Sequence, residues 1–325
     1  YVYNWADYID PELITQFEKE NDCKIIQDTF DDNETMLAKM LAGGGGYDIV
    51  FPSSYMIPVM RKHNLLKPLD MSLLPNVEQN FDHRYDGLKH ESTLKYSVPY
   101  AFGWTGLAYR SDKIDPSKVT NSWDLLKHPA FNGRVSALHD IREMLGIGLR
   151  MTGCSINSTD PNEISGSLDW LLKLKPYIRK LDNSMYKSAL ATGEFYISMG
   201  YNGDTLQILQ ENEGVPVTFF IPNEGSTCTW DEMVITSDKN YELAHKFINF
   251  LYDPKVAAQN APTVASVQPN IGMWEFMSEE DKTNPLMNPS KEDLQKLELV
   301  QDLGDKIDIY NKAWDTFTTK KGISE

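Results

Sequence analysis

Short apolar runs alternate with helical spacings along most of the chain. Residues 1–5 (YVYNW) read as a strand. Asp10 and Pro11 then open a helix, with Asp as N-cap and Pro at the first helical position, and Leu13 and Phe17 share one face. CKIIQDTF (23–30) reads as a second strand. A helix over Asn33–Leu41 carries Met36, Leu37, Met40 and Leu41 on one side. The glycines at 43–46 end that helix and form a loop. A phosphate-binding loop is disfavoured, because no Lys-Ser/Thr follows and the next element is a strand, YDIVF (47–51). Residues 97–112 (SVPYAFGWTGLAYRSD) form an extended stretch too long for one ordinary strand, which implies a strand pair or an interdomain crossing. Ser122-Trp123-Asp124 begins a helix, RVSAL (134–138) is a strand, and 140–151 is helical with Ile141, Met144, Leu145 and Leu149 on its apolar side. FYISMGY (195–201), VPVTFFIP (215–222) and TWDEMVITS (229–237) read as strands, 241–252 as an amphipathic helix, and 281–325 as a charged helical tail. The alternation predicts an α/β fold. With no repeat and no low-complexity linker, the domains are expected to be interleaved.

Composition narrows the function. A chain of 325 residues has room for about two ordinary domains. No apolar run approaches the roughly 20 residues of a membrane-spanning helix. The chain opens directly in a strand, so an export signal is expected to have been removed. The formal charge of −16 argues against nucleic acid as a partner and favours a cationic ligand through long-range attraction. Cys23, Cys154 and Cys228 show no metal-type spacing and are expected to be buried, inert thiols. Two short motifs, NWADY and PSSY, lie at the carboxyl ends of strands, where ligands bind in open α/β sheets.

Six segments occur in an order that resembles the spermidine/putrescine-binding proteins serving bacterial ABC importers. They are YNWADY (3–8), DNETM (32–36), YDIVFPSSY (47–55), HDIRE (139–143), TWDEMVI (229–235) and KFINFLYDPKVA (246–257). The resemblance implies a two-lobed α/β periplasmic binding protein of the second topological type, with a central cleft. It places residues 1–103 plus 231–270 in the N-terminal lobe and 104–230 plus 271–325 in the C-terminal lobe. It further implies a non-enzymatic, monomeric receptor for putrescine or spermidine that needs no cofactor or metal. Its partner would be the membrane permease of an ABC transporter. Its place would be periplasmic or extracytoplasmic, with a lipid anchor through a preceding N-terminal segment.

A protonated polyamine needs carboxylates for its ammoniums and aromatic faces for its methylenes. By resemblance, Trp5, Asp7 and Tyr8 supply a wall and an acid, and Ser53 and Tyr55 supply hydroxyls. Asp140 and Glu143 share a helix face, although Asp140 also has the position of an N-cap. Tyr201 and Asp204 fall on an aromatic-x-Gly segment, and the acid at 204 resembles the putrescine-selective branch. Asp231 is the expected central acid, and Gln301 is expected to contact the ligand from the C-terminal lobe. Two positions depart from the family pattern. Thr229 stands where an aromatic is usual, with Trp230 one step later, and Ser266 replaces a tyrosine. Trp230 is kept as a contact, although strand alternation would turn it away from Asp231 unless the register is bulged. His139 and Glu143 have the i,i+4 spacing of a metal pair, but no third ligand is evident. Two alternatives remain: another small solute on the same fold, or a secreted hydrolase using paired carboxylates.

Overall fold

The computed structural model describes residues 1–320 other than 7, 31, 44–45 and 89–93. Its strands are β1 (Val2–Asn4), β2 (Gln27–Thr29), β3 (Ile49–Val50), β4 (Ser97–Arg110), β5 (Val135–Ala137), β6 (Ile178–Leu181), β7 (Ile197–Tyr201), β8 (Val217–Phe220), β9 (Ser226–Ile235) and β10 (Leu297–Leu299). The chain forms two compact units. One comprises residues 1–102 and 229–288, the other 103–228 and 289–325. The stretch from 97 to 110 is a single strand, β4, and the unit boundary falls inside it; β9 contains a boundary in the same way. Residues 271–288 had been expected in the second lobe but belong to the first unit. The Ile271 N–H donates to the Asn80 carbonyl at 2.7 Å, the Asn270 side chain to the Tyr252 carbonyl at 2.8 Å, and Arg84 to Asn288 at 2.8 Å.

In the first unit, β1 pairs in parallel with both β2 and β3, and β3 runs antiparallel to the end of β9, Ile49 opposite Ile235 and Val50 opposite Val234. Side chains alternate across these strands. Val2, Ile49 and Ile235 bury on one face with Leu13 and Phe17 of the helix Pro11–Asn21 and Phe247 and Ile248 of the helix Tyr241–Leu251. Tyr3, Val50 and Val234 bury on the other with Met36, Met40, Met56 and Ile57. Burial on both faces explains why YDIVF is apolar at adjacent positions rather than alternating. Of the segment 23–30, strand pairing is confined to Gln27–Thr29.

In the second unit, β5 pairs in parallel with β6 and β7, and β7 and β8 run antiparallel to β4. β10 is parallel to the start of β9. The helices Ile141–Met151, Pro161–Leu174 and Ile307–Thr319 pack beside this sheet, burying Leu145, Leu171, Tyr310 and Phe317. Gly200 on β7 has a local reason. A Cβ there would lie 2.5 Å from the Tyr186 ring, so glycine lets that tyrosine cross the strand closely. The segment after Ser122 is a short 3₁₀ turn, Trp123–Lys127, rather than a full helix.

Along the middle of β9, residues 229 and 231 are half-buried while Trp230 and Glu232 are buried. Trp230 is fully enclosed, its ring 4.6 Å from Phe102 and 5.4 Å from Tyr85. We expect Trp230→Ala to leave a large cavity and to destabilise the first unit by about 3–5 kcal/mol in urea unfolding. A loss below about 1 kcal/mol would show that the indole is not a core side chain.

Candidate functional site

In the first unit, the acid predicted to be central stands inside a built cluster. β3 ends at Val50, and two residues on Pro52 has no N–H with which to continue a ladder. The following residues still track β9: Ser54 N–H donates to the Trp230 carbonyl at 2.7 Å and Glu232 N–H to the Pro52 carbonyl at 2.9 Å. This pairing sets Ser53 opposite Asp231. The Ser53 hydroxyl donates to Asp231 Oδ1 at 2.7 Å, and the Tyr8 hydroxyl donates to Oδ2 at 2.6 Å. Outside them lies a second layer. Asn33 accepts the Ser53 N–H at 3.0 Å and donates to the hydroxyls of Ser53 and Tyr55 at 3.1 and 2.9 Å. Tyr100 donates to the Tyr8 carbonyl at 2.6 Å and receives the Asn260 amide at 2.7 Å. Burial raises the Asp231 pKa, and the two hydroxyls hold it back. Among the described residues no lysine or arginine pairs with Asp231.

Four predicted residues, Tyr8, Ser53, Tyr55 and Asp231, are thus brought together. Trp5 packs 4.4 Å from Phe30 and stays half-buried, its indole N–H without a partner among the described residues. Asp7 lies outside the described residues. Trp230 is fully buried between the half-buried Thr229 and Asp231 and packs in the aromatic core with Phe102 and Tyr85. Thr229, on the Asp231 face, bonds only locally, to the Trp230 carbonyl at 3.3 Å; Ser266 is buried and donates to the Phe102 carbonyl at 2.7 Å.

The second unit has its own acid. Asp140 caps the helix Ile141–Met151, accepting the N–H groups of Arg142 at 2.8 Å and Glu143 at 3.0 Å, so its carboxylate has a structural task. Glu143 is buried, and its Oε2 accepts the hydroxyls of Thr105 on β4, at 2.6 Å, and Thr227 on β9. Burial, with the Asp140 charge beside it, pushes the Glu143 pKa up to about 7 against the pull of the two hydroxyls and Arg142. Tyr201 pairs with Thr105 across β7 and β4, and burial with the nearby acids keeps its hydroxyl protonated. Asp204 behaves differently. It accepts the Tyr186 hydroxyl and lies 3.6 Å from Lys187 Nζ, so its charge is already met within the protein. The acid that resembles the putrescine-selective branch thus has a cation partner in its own unit. Gln301 is exposed; its backbone donates to Asn157 at 2.9 Å and accepts from Arg142 at 2.6 Å. The His139–Glu143 metal pair does not form, because the imidazole packs edge-on against Trp314 at 5.4 Å while Glu143 turns to the threonines. Cys228 is buried as expected, but Cys23 and Cys154 are partly exposed.

Asn33, Tyr100, Thr105 and Thr227 were not anticipated. Each is a neutral residue in an apolar or helical run, and its partner lies far away in sequence. The DNETM segment did contain Asn33, but only as part of a pattern.

Each α/β unit thus carries an acid held by two neutral hydroxyls, with no lysine or arginine bonded to it among the described residues, an arrangement suited to a binding protein. Residues 46–296 match the model of the family described as bacterial extracellular solute-binding protein. The chain is 35% identical over 316 residues to the spermidine/putrescine-binding periplasmic protein of Salmonella typhimurium, spanning 97% of this chain and 90% of that one. It is 33% identical over 332 residues to the putrescine-binding periplasmic protein PotF of Escherichia coli, with the same two coverages. Among solved structures it is similar to the spermidine/putrescine ABC transporter substrate-binding protein PotD of Streptococcus pneumoniae, with a TM-score of 0.88, 34% identity, and 98% and 97% of the two chains covered. The chain belongs to the bacterial extracellular solute-binding protein family. It is an extracytoplasmic solute-binding protein and not an enzyme.

The Glu143 environment has a consequence for stability. A raised pKa means that the folded protein keeps a proton that the unfolded chain releases. That contribution is complete below the ordinary value of 4.5 and is lost as pH rises through about 7. The neutral Glu143→Gln variant escapes the loss. In ligand-free unfolding experiments it should match the parent near pH 4 and exceed it near pH 8 by on the order of 1–3 kcal/mol. A variant less stable than the parent near pH 8 would contradict this account of the charge.

Proposed function

We propose that this chain is the receptor of a polyamine ABC importer and that Asp231 holds an ammonium group of putrescine or spermidine. The observation that carries the reading is a half-buried carboxylate with two hydroxyl donors and no lysine or arginine partner among the described residues. Such a charge is costly to keep folded unless a partner arrives, and an ammonium is the partner it lacks. Tyr8 adds an aromatic face beside the same carboxylate, suited to the methylenes and to the cation itself.

Magnitudes agree with this assignment. A charge-assisted hydrogen bond contributes roughly 1.5–3 kcal/mol and a cation–π contact roughly 0.5–2 kcal/mol. Micromolar affinity needs about −8 kcal/mol, so a few such contacts suffice even after the ligand is ordered. The second unit offers Glu143 with Tyr201 beside it, a second acid suited to one ammonium. In this reading Trp5, Tyr55 and Gln301 are contacts of lesser weight, Asp140 acts through its helix, and Asp204 is spoken for by Lys187. The names of the relatives support the ligand class and service to an ABC transporter; work as a monomer with a membrane permease and attachment by a lipid on a preceding segment complete the proposal.

Calorimetric titration with putrescine and spermidine tests the assignment. Asp231→Asn should weaken whichever polyamine binds by tenfold or more, about 1.4 kcal/mol. Unchanged affinity in that variant would sink Asp231 as the ammonium site. If polyamines give no heat while another small solute binds, the ligand class itself is wrong.

A further inference from the structure

We infer that Thr105 and Thr227 are positioning residues that set how much of Glu143 is ionised, so that capture of a cationic ligand expels a proton from this carboxyl group. The inference rests on the proposed polyamine reading for the identity of the cation, but its structural basis lies within the second unit alone.

Two different strands supply the hydroxyls, Thr105 from β4 and Thr227 from β9, and both converge on the same oxygen, Oε2. Both threonines are almost fully enclosed, with 1% and 0% of their surface exposed. Glu143 keeps 7%. Among the described residues Oε1 accepts no hydrogen bond. One carboxyl oxygen is therefore anchored from behind by two neutral donors and the other is left for an incoming group. A threonine hydroxyl bonds to either charge state, but it favours the carboxylate, which is the stronger acceptor. Two such donors offset part of the burial without supplying a charge.

The groups around Glu143 explain why the balance stays close. On its own helix, Asp140 opposes ionisation and Arg142 favours it. From β7, Tyr201 stays protonated in this setting, and from β9 Cys228 does so too, so neither adds charge. No group facing the carboxyl neutralises it outright. The group titrates near neutrality, and an ammonium placed at Oε1 shifts it towards carboxylate. The proton leaves to the buffer, and the ammonium takes over the electrostatic role that the proton had. A single full-charge partner of the kind Lys187 provides for Asp204 would remove this sensitivity.

The experiment is calorimetry of polyamine binding at about pH 6.5 in two buffers of different ionisation heat, repeated at about pH 8. The difference between buffers should report roughly three-quarters of a proton released per ligand near pH 6.5 and close to none near pH 8. Glu143→Gln should abolish the difference. Thr105→Val and Thr227→Val should each enlarge the release and move the decline in affinity to higher pH, and Thr105→Ser and Thr227→Ser should restore the parent profile. A purely structural role for the threonines would weaken binding equally at every pH and leave proton release unchanged. Tight binding with equal heats in both buffers across this range overturns the inference while leaving the polyamine reading intact. If no polyamine binds, the functional reading fails. The positioning role is then decided on ligand-free protein by carboxyl NMR titration of Glu143, which should move to higher pH in both valine variants. No displacement there overturns it.

Discussion

The structure depends on holding two largely desolvated carboxylates without a lysine or arginine bonded to either among the described residues. Desolvating a charge is among the larger costs a fold can carry, and the usual remedy is a salt bridge. Asp204 takes that remedy with Lys187, whereas Asp231 and Glu143 do not. They are held by neutral hydroxyls: Tyr8 and Ser53 for one, Thr105 and Thr227 for the other. A hydroxyl fixes the geometry of a carboxylate and leaves its field intact. A lysine would fix the geometry and cancel the field.

The scaffold serves this requirement through register. Ser53 meets Asp231 because β3 and β9 are antiparallel and their pairing persists one step beyond Pro52. Thr105 and Tyr201 are neighbours because β4 and β7 are paired. Trp230, between the two half-buried positions of β9, faces the other way and anchors the strand in an aromatic cluster with Phe102 and Tyr85. Core and site therefore alternate along a single strand, and a slip of one residue would exchange them.

What was legible in the amino-acid order follows the range of the forces involved. Helix starts marked by Asp-Pro or by a capping Asp were local signals, as at Asp10 and Asp140, and the structure has them. The same signature at Asp160-Pro161 opens the helix Pro161–Leu174, which passed unread although its cap is of the same kind. Asp231 and Glu143 stood out because the motifs TWDEMVI and HDIRE resemble those of the family. Their partners did not, because a threonine inside a strand is ordinary until a carboxylate from a distant segment is set against it. At Trp230 the family pattern and the strand period differ by one residue, and the indole's burial follows the period. Asp204 looked like a free acid because nothing in the sequence shows that Lys187, on the preceding helix, reaches it.

The boundaries that fall inside β4 and β9 matter for the order in which the protein comes into being. β3 needs the far end of β9 as its neighbour, and most of the second unit is encoded between them. A ribosome that has finished residues 1–102 has therefore released a sheet lacking a strand, with Ile49 and Val50 unpaired along one edge and part of its apolar face uncovered. Closure of the first unit waits until translation has passed Ile235. For a chain destined for the far side of a membrane, this delay keeps the nascent polypeptide open, and so able to thread through a narrow channel, for most of its synthesis.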